Sequence, residues 1–243
     1  MGRVSNRLER GRWYGWLFWG VAASFFLYEF FVRVMPSVIL KDLSTQLDAS
    51  PVELSSSLAI YLWVYAPMQL VVGGLFDRFG TKFLIMGASL IVGGGCLIFA
   101  ASNSLVPVDL SRGMAGFGSA FAFVGAVYVA TVWFPSSRLA LIAGITIAVG
   151  MLGEVIGQTP MVEAVQAFGW RSVMQVAGFA GIAVAILLFV IPSRPKWFHD
   201  RFTEEDETNI GIFRGIGTVL GQWKLWMVGV ISAVLYLPLS VVA

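Results

Sequence analysis

Residues 54–101 read LSSSLAIYLWVYAPMQLVVGGLFDRFGTKFLIMGASLIVGGGCLIFAA, and the placing of charge in that stretch decides the fold. No charged side chain interrupts Leu54 to Phe76 or Phe83 to Ala101, while Asp77, Arg78 and Lys82 crowd the short link between them. A helix of ~20 apolar residues crosses the ~30 Å hydrocarbon core of a bilayer. The same layout recurs outward along the chain, with no charge between Lys82 and Asp109, Arg112 and Arg138, or Arg171 and Arg194. Hydrophobic residues make up 58% of the 243 and charged residues 12%, against roughly 25% charged in a soluble domain. The 27 glycines suit helices that pack closely in lipid. The sequence therefore predicts an all-α membrane protein.

Seven apolar segments follow from this reading: Trp13 to Pro36, Leu54 to Phe76, Phe83 to Ala101, Val108 to Phe134, Leu139 to Val162, Val173 to Ile191, and one from Trp223 to Ala243. The first runs past the ~7–15 apolar residues of a signal peptide before it meets Glu29, so it reads as a retained span. Arg3, Arg7, Arg10, Arg12, Arg78, Lys82, Arg138, Arg194, Lys196, Arg201, Arg214 and Lys224 fall on one side, and Lys41 and Arg171 on the other. Positive charge gathers on the cytoplasmic side, which predicts a cytoplasmic N-terminus in a plasma (inner) membrane. Trp13, Trp16, Trp133, Trp170, Trp197 and Trp223 fall near segment ends, where an indole suits the interface.

Three parts are expected: a six-helix bundle over 1–192, a cytoplasmic linker over 193–222, and the first helix of a truncated C-terminal bundle over 223–243. The linker carries Glu204, Glu205, Asp206 and Glu207. Its Ile210 to Leu220 stretch has the spaced apolar residues of a surface-lying helix, or of a plain solvated connection. The seventh segment stops at Ala243 in apolar sequence with no polar flank, so a further five or six spans are expected in the native gene product.

Charges inside the spans carry the functional signal, because each costs several kcal/mol in lipid unless paired or hydrated. Span one holds Glu29 and Arg33 at i and i+4, Glu29 lying roughly 22 Å along the helix from Tyr14 at about 1.5 Å per residue. Span four holds Asp109 and Arg112, and span five Glu154. Ser57, Tyr61, Tyr65 and Gln69 recur every fourth residue in span two, as do Thr146, Gly150, Glu154 and Gln158 in span five. Two such stripes with charged spans one and four predict a shared water-accessible cavity; the competing reading is a buried structural Glu29–Arg33 pair.

Within that cavity Arg33 and Arg112 are the expected anion-recognising groups, since guanidinium donates in a fixed fork to carboxylate or phosphate. Tyr61, Tyr65, Gln69 and Gln158 are the expected hydrogen-bonding and aromatic lining. Glu29 or Glu154 is the expected proton carrier, because a carboxyl held out of water protonates according to the side it faces. Other chemistries lack their residues. Cys96 is the single cysteine and His199 the single histidine, so no disulfide, metal cluster or cofactor site is expected, and no Ser/His/Asp constellation exists. Gly93, Gly94 and Gly95 sit mid-membrane, where they read as helix packing rather than a phosphate loop. No enzyme activity, nucleic-acid partner or ATP-driven transport is expected. Small solutes, protons and the lipid bilayer are the expected partners of a monomer.

The run Gly73-Gly-Leu-Phe-Asp77-Arg78-Phe-Gly80-Thr-Lys82 resembles the loop between helices two and three of the major facilitator superfamily, with Thr81 in place of one usual basic residue. Arg112-Gly-Met-Ala-Gly116-Phe-Gly118-Ser-Ala120 resembles that family's span-four signature, and Gly169-Trp170-Arg171 its approach to span six. The resemblance covers essentially the whole chain. It implies a six-helix N-terminal bundle built as an inverted 3+3 repeat, with a seventh helix beyond it, and alternating access around a central cavity. It also implies a gating loop of Gly73, Asp77, Arg78, Gly80 and Lys82, either a latch or a static staple, and links Arg112 to proton coupling. Asp77 sits at a helix C-terminus, where the dipole disfavours a carboxylate, so it needs compensation from Arg78, Lys82 or a neighbouring helix start, and Gly73 would permit a close backbone approach there.

A narrower likeness lies in Tyr28-Glu29-Phe-Phe-Val-Arg33-Val-Met-Pro36-Ser-Val-Ile, which is similar to the phagosomal nutrient transporter branch, importers of amino acids and nucleosides. The function so implied is proton-coupled uptake of a small polar or anionic solute: an amino acid, a nucleoside or a carboxylate. A drug-exporting antiporter is the alternative within the fold, although Gly150-Met-Leu-Gly153-Glu154-Val-Ile-Gly157 lacks the Gly-Pro ending of that group's span five. A membrane sensor that moves nothing is the alternative of another class, disfavoured by Glu29, Arg33 and Glu154 together.

Overall fold

The computed structural model describes residues 2–191, with side chains from Trp13 onward apart from Thr159, and a few isolated residues between 221 and 230. The expected linker and seventh segment lie almost wholly outside the described residues. The described chain forms helices α1 (Gly2–Val38), α2 (Leu40–Leu47), α3 (Pro51–Phe79), α4 (Thr81–Ala100), α5 (Leu105–Trp133), α6 (Ser136–Gly157), α7 (Thr159–Phe168) and α8 (Trp170–Val190). Six of these, α1 from Trp13, α3, α4, α5, α6 and α8, are long and apolar enough to cross a membrane. They match the first six predicted segments to within a few residues.

Two departures come from local chemistry. A short amphipathic helix, α2, follows span one, with Ile39 and Leu43 buried. It ends at Asp48 in the left-handed region, φ 49°. Ser50 and Glu53 then cap α3 reciprocally, with Pro51 in its first turn, where a missing N–H costs nothing. The fifth span, expected to continue to Val162, breaks at Gln158 and restarts as α7. Pro160 lies in the first turn of α7, where its missing N–H costs nothing, and it supplies no donor to continue α6.

Lipid offers helices no hydrophobic drive toward one another, so they close where small residues let backbones meet. On Gly93 of α4 a Cβ would stand 2.8 Å from the Gly178 carbonyl of α8, and on Gly181 it would stand 2.9 Å from the Gly93 Cα. Ser89 Oγ adds a bond to the Gly181 carbonyl at 2.7 Å. Gly116 of α5 likewise admits the backbone of α3 at Tyr61, and Gly153 of α6 admits α1 at Leu27.

The inverted repeat shows in how the antiparallel pair α4 and α8 is tied. Each starts after a glycine at positive φ, Gly80 at 76° and Gly169 at 77°. Each carries a cation two residues past that glycine, and each cation reaches the far end of the other helix. Lys82 Nζ donates to the carbonyls of Phe189 and Ile191 at 3.0 and 2.6 Å. Arg171 Nη2 donates to the Ser102 carbonyl at 2.9 Å and to Asn103 Oδ1 at 3.2 Å, just beyond α4. A cation at a helix C-terminus meets the unsatisfied carbonyls and the negative end of the dipole.

Candidate functional site

The buried charges converge where α1, α3 and α5 meet. Glu29 on α1 is 1% exposed, Tyr61 on α3 is 2% and Arg112 on α5 is 4%. Helix α3 can bring Tyr61 this deep because Gly116 on α5 leaves its backbone room. The Tyr61 phenol donates to Oε1 of Glu29 across helices. The Arg112 guanidinium lies over the Tyr61 ring, 4.8 Å from its centroid, a geometry in which the ring's negative face attracts the cation. Its Nη1 donates to the Val32 carbonyl at a long 3.4 Å. Its Nε is enclosed without a partner among the described residues.

Around this centre Tyr65 stacks on Tyr61, with centroids 5.7 Å apart and planes 13° apart. Arg33 is half-buried, its guanidinium 5.6 Å from the centroid of the Phe30 ring. Arg33 and Arg112 are close enough to attract the Glu29 charge, and Glu154 on α6 is close enough to repel it. Glu29, Arg33, Tyr61, Tyr65, Arg112 and Glu154 are thus gathered by four helices. The arrangement holds a carboxyl, two guanidiniums and a phenol in a low-dielectric setting, where an added anion or proton changes the balance of charge strongly.

The two polar stripes do not form one continuous lining. A step of four residues advances a helix by roughly 40° beyond a full turn, so three steps rotate the stripe by roughly 120°. On α6, Thr146 is buried against α1 and accepts from Trp19 Nε1 at 3.2 Å. Gly150 packs against Phe26, Glu154 is half-buried, and Gln158 is exposed at the break, away from the network. On α3 the stripe runs from buried Ser57 and Tyr61 to half-buried Tyr65 and Gln69, then to exposed Gly73.

The expected gating loop divides similarly. Gly80 is required by its positive φ, and Lys82 is committed to the end of α8. Asp77 and Arg78 are exposed, Arg78 lying over Phe79 at 5.4 Å. An added Cβ on Gly73 meets open space within 4 Å, so the close approach expected there is not made among the described residues. What the sequence did not signal is the outer tie, in which Trp170 Nε1 and Arg171 Nη1 both donate to Gln46 Oε1 on α2. A groove of about 680 Å³ between α1, α7 and α8 is lined almost wholly by apolar side chains, Phe31, Met161 and Phe168 among them, and has no charged residue in its lining. Among the described residues no group of three His, Cys, Asp or Glu side chains could hold a metal.

Residues 17–243 match the family model of the Major Facilitator Superfamily. The chain belongs to that superfamily. The facilitator is 26% identical over 197 residues to the probable sulfoacetate transporter SauU of Cupriavidus necator, covering 81% of this chain and 46% of the relative. It is 25% identical over 201 residues to the uncharacterized transporter YybO of Bacillus subtilis, covering 83% and 46%. It is 30% identical over 140 residues to the probable galactarate/D-glucarate transporter GudP of Bacillus subtilis, covering 55% and 31%. The aligned part is thus less than half the length of each of these relatives. Each of these three relatives carries a transporter's name.

Proposed function

We propose that this facilitator is the six-helix half, with the start of a second half from about Trp223, of a secondary active transporter that takes up a small organic anion with a proton by alternating access. The observation that carries the reading is the buried Glu29–Tyr61–Arg112 network, in which one carboxyl and one guanidinium meet on a phenol at the junction of three helices. Arg112 and Arg33 are the anion-recognising groups, because a desolvated guanidinium binds a carboxylate or sulfonate through paired N–H donors. Glu29 is the proton carrier, with Glu154 as the second carboxyl in its field. Tyr65 and Gln69 continue the polar lining along α3. Among amino acids, nucleosides and carboxylates, the names of SauU and GudP favour organic acids, while the putative multidrug resistance protein MdtD of Yersinia pestis, 25% identical, favours the exporter alternative. The excess of Lys and Arg beside Lys82, Arg138 and the N-terminus supports a cytoplasmic N-terminus in a plasma membrane.

The test uses the gene product as encoded, reconstituted in liposomes with the outside acid. D-glucarate, sulfoacetate and pools of amino acids and nucleosides are offered, and what accumulates inside is identified by mass spectrometry. Accumulation that vanishes when the gradient is collapsed, and falls at least tenfold in Glu29→Gln, is the expected result. Extrusion of a preloaded lipophilic cation with no anion uptake makes the protein an exporter instead. A folded protein that moves none of these is a sensor.

A further inference from the structure

We infer that Asp109 is a second partner for Arg112, and that the guanidinium exchanges between Tyr61 and Asp109 as the protein changes state. Two buried polar atoms of opposite character stand unpartnered on one helix, Oδ1 of Asp109 and Nε of Arg112. They belong to residues three apart on α5, side by side on its surface with Cβ atoms about 5–6 Å apart. In this structure Arg112 is turned away from Asp109, toward α1 and α3. There, among the described residues, it holds the Tyr61 ring and one hydrogen bond at 3.4 Å, the weak end of the range.

An enclosed donor or acceptor without a partner is expensive, more so when it is charged. One rotation of the Arg112 side chain removes both deficits, joining Nε to Oδ1 and leaving Tyr61 and Glu29 to each other. Asp109 lies in the second turn of α5, at the end of the bundle that carries α2 and Arg171. The exchange therefore moves positive charge along α5 toward that end and withdraws it from the centre. An anion held by Arg112 would move with it, and Glu29 would keep only Arg33 as a nearby cation among the groups identified above. Asp109 acts through Arg112 and is a positioning residue. The inference rests on the transport reading, since a protein with one state has no use for two resting places.

The test reads the balance of states without needing the solute. In the gene product as encoded, native cysteines are replaced, Cys96→Ser included, and Gln69→Cys places a thiol on the half-buried part of the α3 stripe. Its modification rate by the membrane-impermeant reagent sulfonatoethyl methanethiosulfonate is measured in proteoliposomes. Asp109→Asn removes one resting place and Tyr61→Phe weakens the other. The two are expected to shift the rate in opposite directions, each at least threefold, while Asp109→Glu restores it to within twofold. Both shifts are expected to vanish when Arg112→Gln is added. Shifts in the same direction, or a rate unmoved by Asp109→Asn but moved by Tyr61→Phe, overturn the exchange and leave alternating access standing. A rate that neither Asp109→Asn nor Tyr61→Phe moves overturns both readings. Asp109→Ser serves in place of Asp109→Asn where the latter does not fold, and the same signs apply to it.

Discussion

The α4–α8 pair and the α1–α3–α5 junction use the same packing device for opposite ends. Both close on glycines: Gly93, Gly178 and Gly181 in the first, and Gly116 against the backbone of Tyr61 in the second. The first encloses little that is polar along its length, Ser89 being bonded to a carbonyl, with one hydroxyl unpartnered among the described residues, Ser102, just past the end of α4, and has a cation tied across each end. The second encloses a carboxyl, a phenol and a guanidinium and leaves Arg112 Nε without a partner among the described residues. A satisfied pair has one good arrangement, whereas an under-satisfied charged junction has neighbouring arrangements of similar free energy. The contrast marks α4–α8 as a rigid unit and the junction as the place where the bundle can change.

Removing a charge from the junction should break that contrast most severely. Arg112→Ala leaves Glu29 enclosed with only half-buried Arg33 as a nearby cation and strips the cover from the Tyr61 ring. Removing a desolvated cation from the face of an aromatic ring costs about 2 kcal/mol. We expect a loss of at least that size in thermal unfolding of the gene product, with Glu29→Gln added to Arg112→Ala recovering the part that exceeds it. A loss that Glu29→Gln does not reduce would show that Glu29 carries no charge in the folded state. Arg112→Lys should keep most of the stability yet lose anion uptake, because an ammonium lacks the guanidinium fork.

A change in the dry pair should be no larger and of another kind. Gly93→Ala puts a methyl group 2.8 Å from the Gly178 carbonyl, and overpacking of this sort costs about 1–3 kcal/mol. The expected outcome is a lower unfolding temperature with solute uptake per folded molecule unchanged within twofold. Loss of uptake in protein that is still folded at the assay temperature would show that α4 and α8 move against each other in the cycle, and the contrast would fail.

How much of this the sequence disclosed depends on whether a feature is local. The six spans are legible because an uncharged run is a property of the run itself, and Gly80 is legible only through the family-like loop that contains it, its positive φ coming from the structure. The α6–α7 break has a local signal in Pro160, which the reading of one apolar run from Leu139 to Val162 does not use. The polar stripes were read as straight lines, although an i+4 spacing on a 3.6-residue helix drifts around the axis, taking Thr146 into the packing and Gln158 out to the surface. Which of Arg33, Arg112 and Tyr61 would hold Glu29 was not legible. Tyr61 lies 32 residues from Glu29, and the pairing follows from how closely Gly116 lets α3 approach. Lys82 was assigned to the loop by its sequence neighbours, yet its partners are 107 and 109 residues away.

The smallest expected effect sharpens the comparison further, because it tests whether the dry pair is rigid along its whole length. Lys82→Met and Arg171→Met each remove a cation from the last carbonyls of a helix, an interaction of about 0.3–1 kcal/mol. Arg171 also stacks over Trp170 at 4.3 Å and donates to Gln46, so its loss belongs at the upper end of that range and Lys82 at the lower. The two ties sit at opposite ends of helices 20 and 21 residues long, roughly 30 Å apart at about 1.5 Å per residue. Distant sites add within about 0.3–0.5 kcal/mol when nothing transmits strain between them. In a pair locked by Gly93, Gly178 and Gly181, the unfolding free energy of the double substitution should equal the sum of the singles within that margin. A double substitution markedly worse than the sum would mean that each tie compensates for loss of the other by letting the helices slide. The repeat would then be held by its ends rather than its glycines, and α4–α8 would join the junction as a moving part.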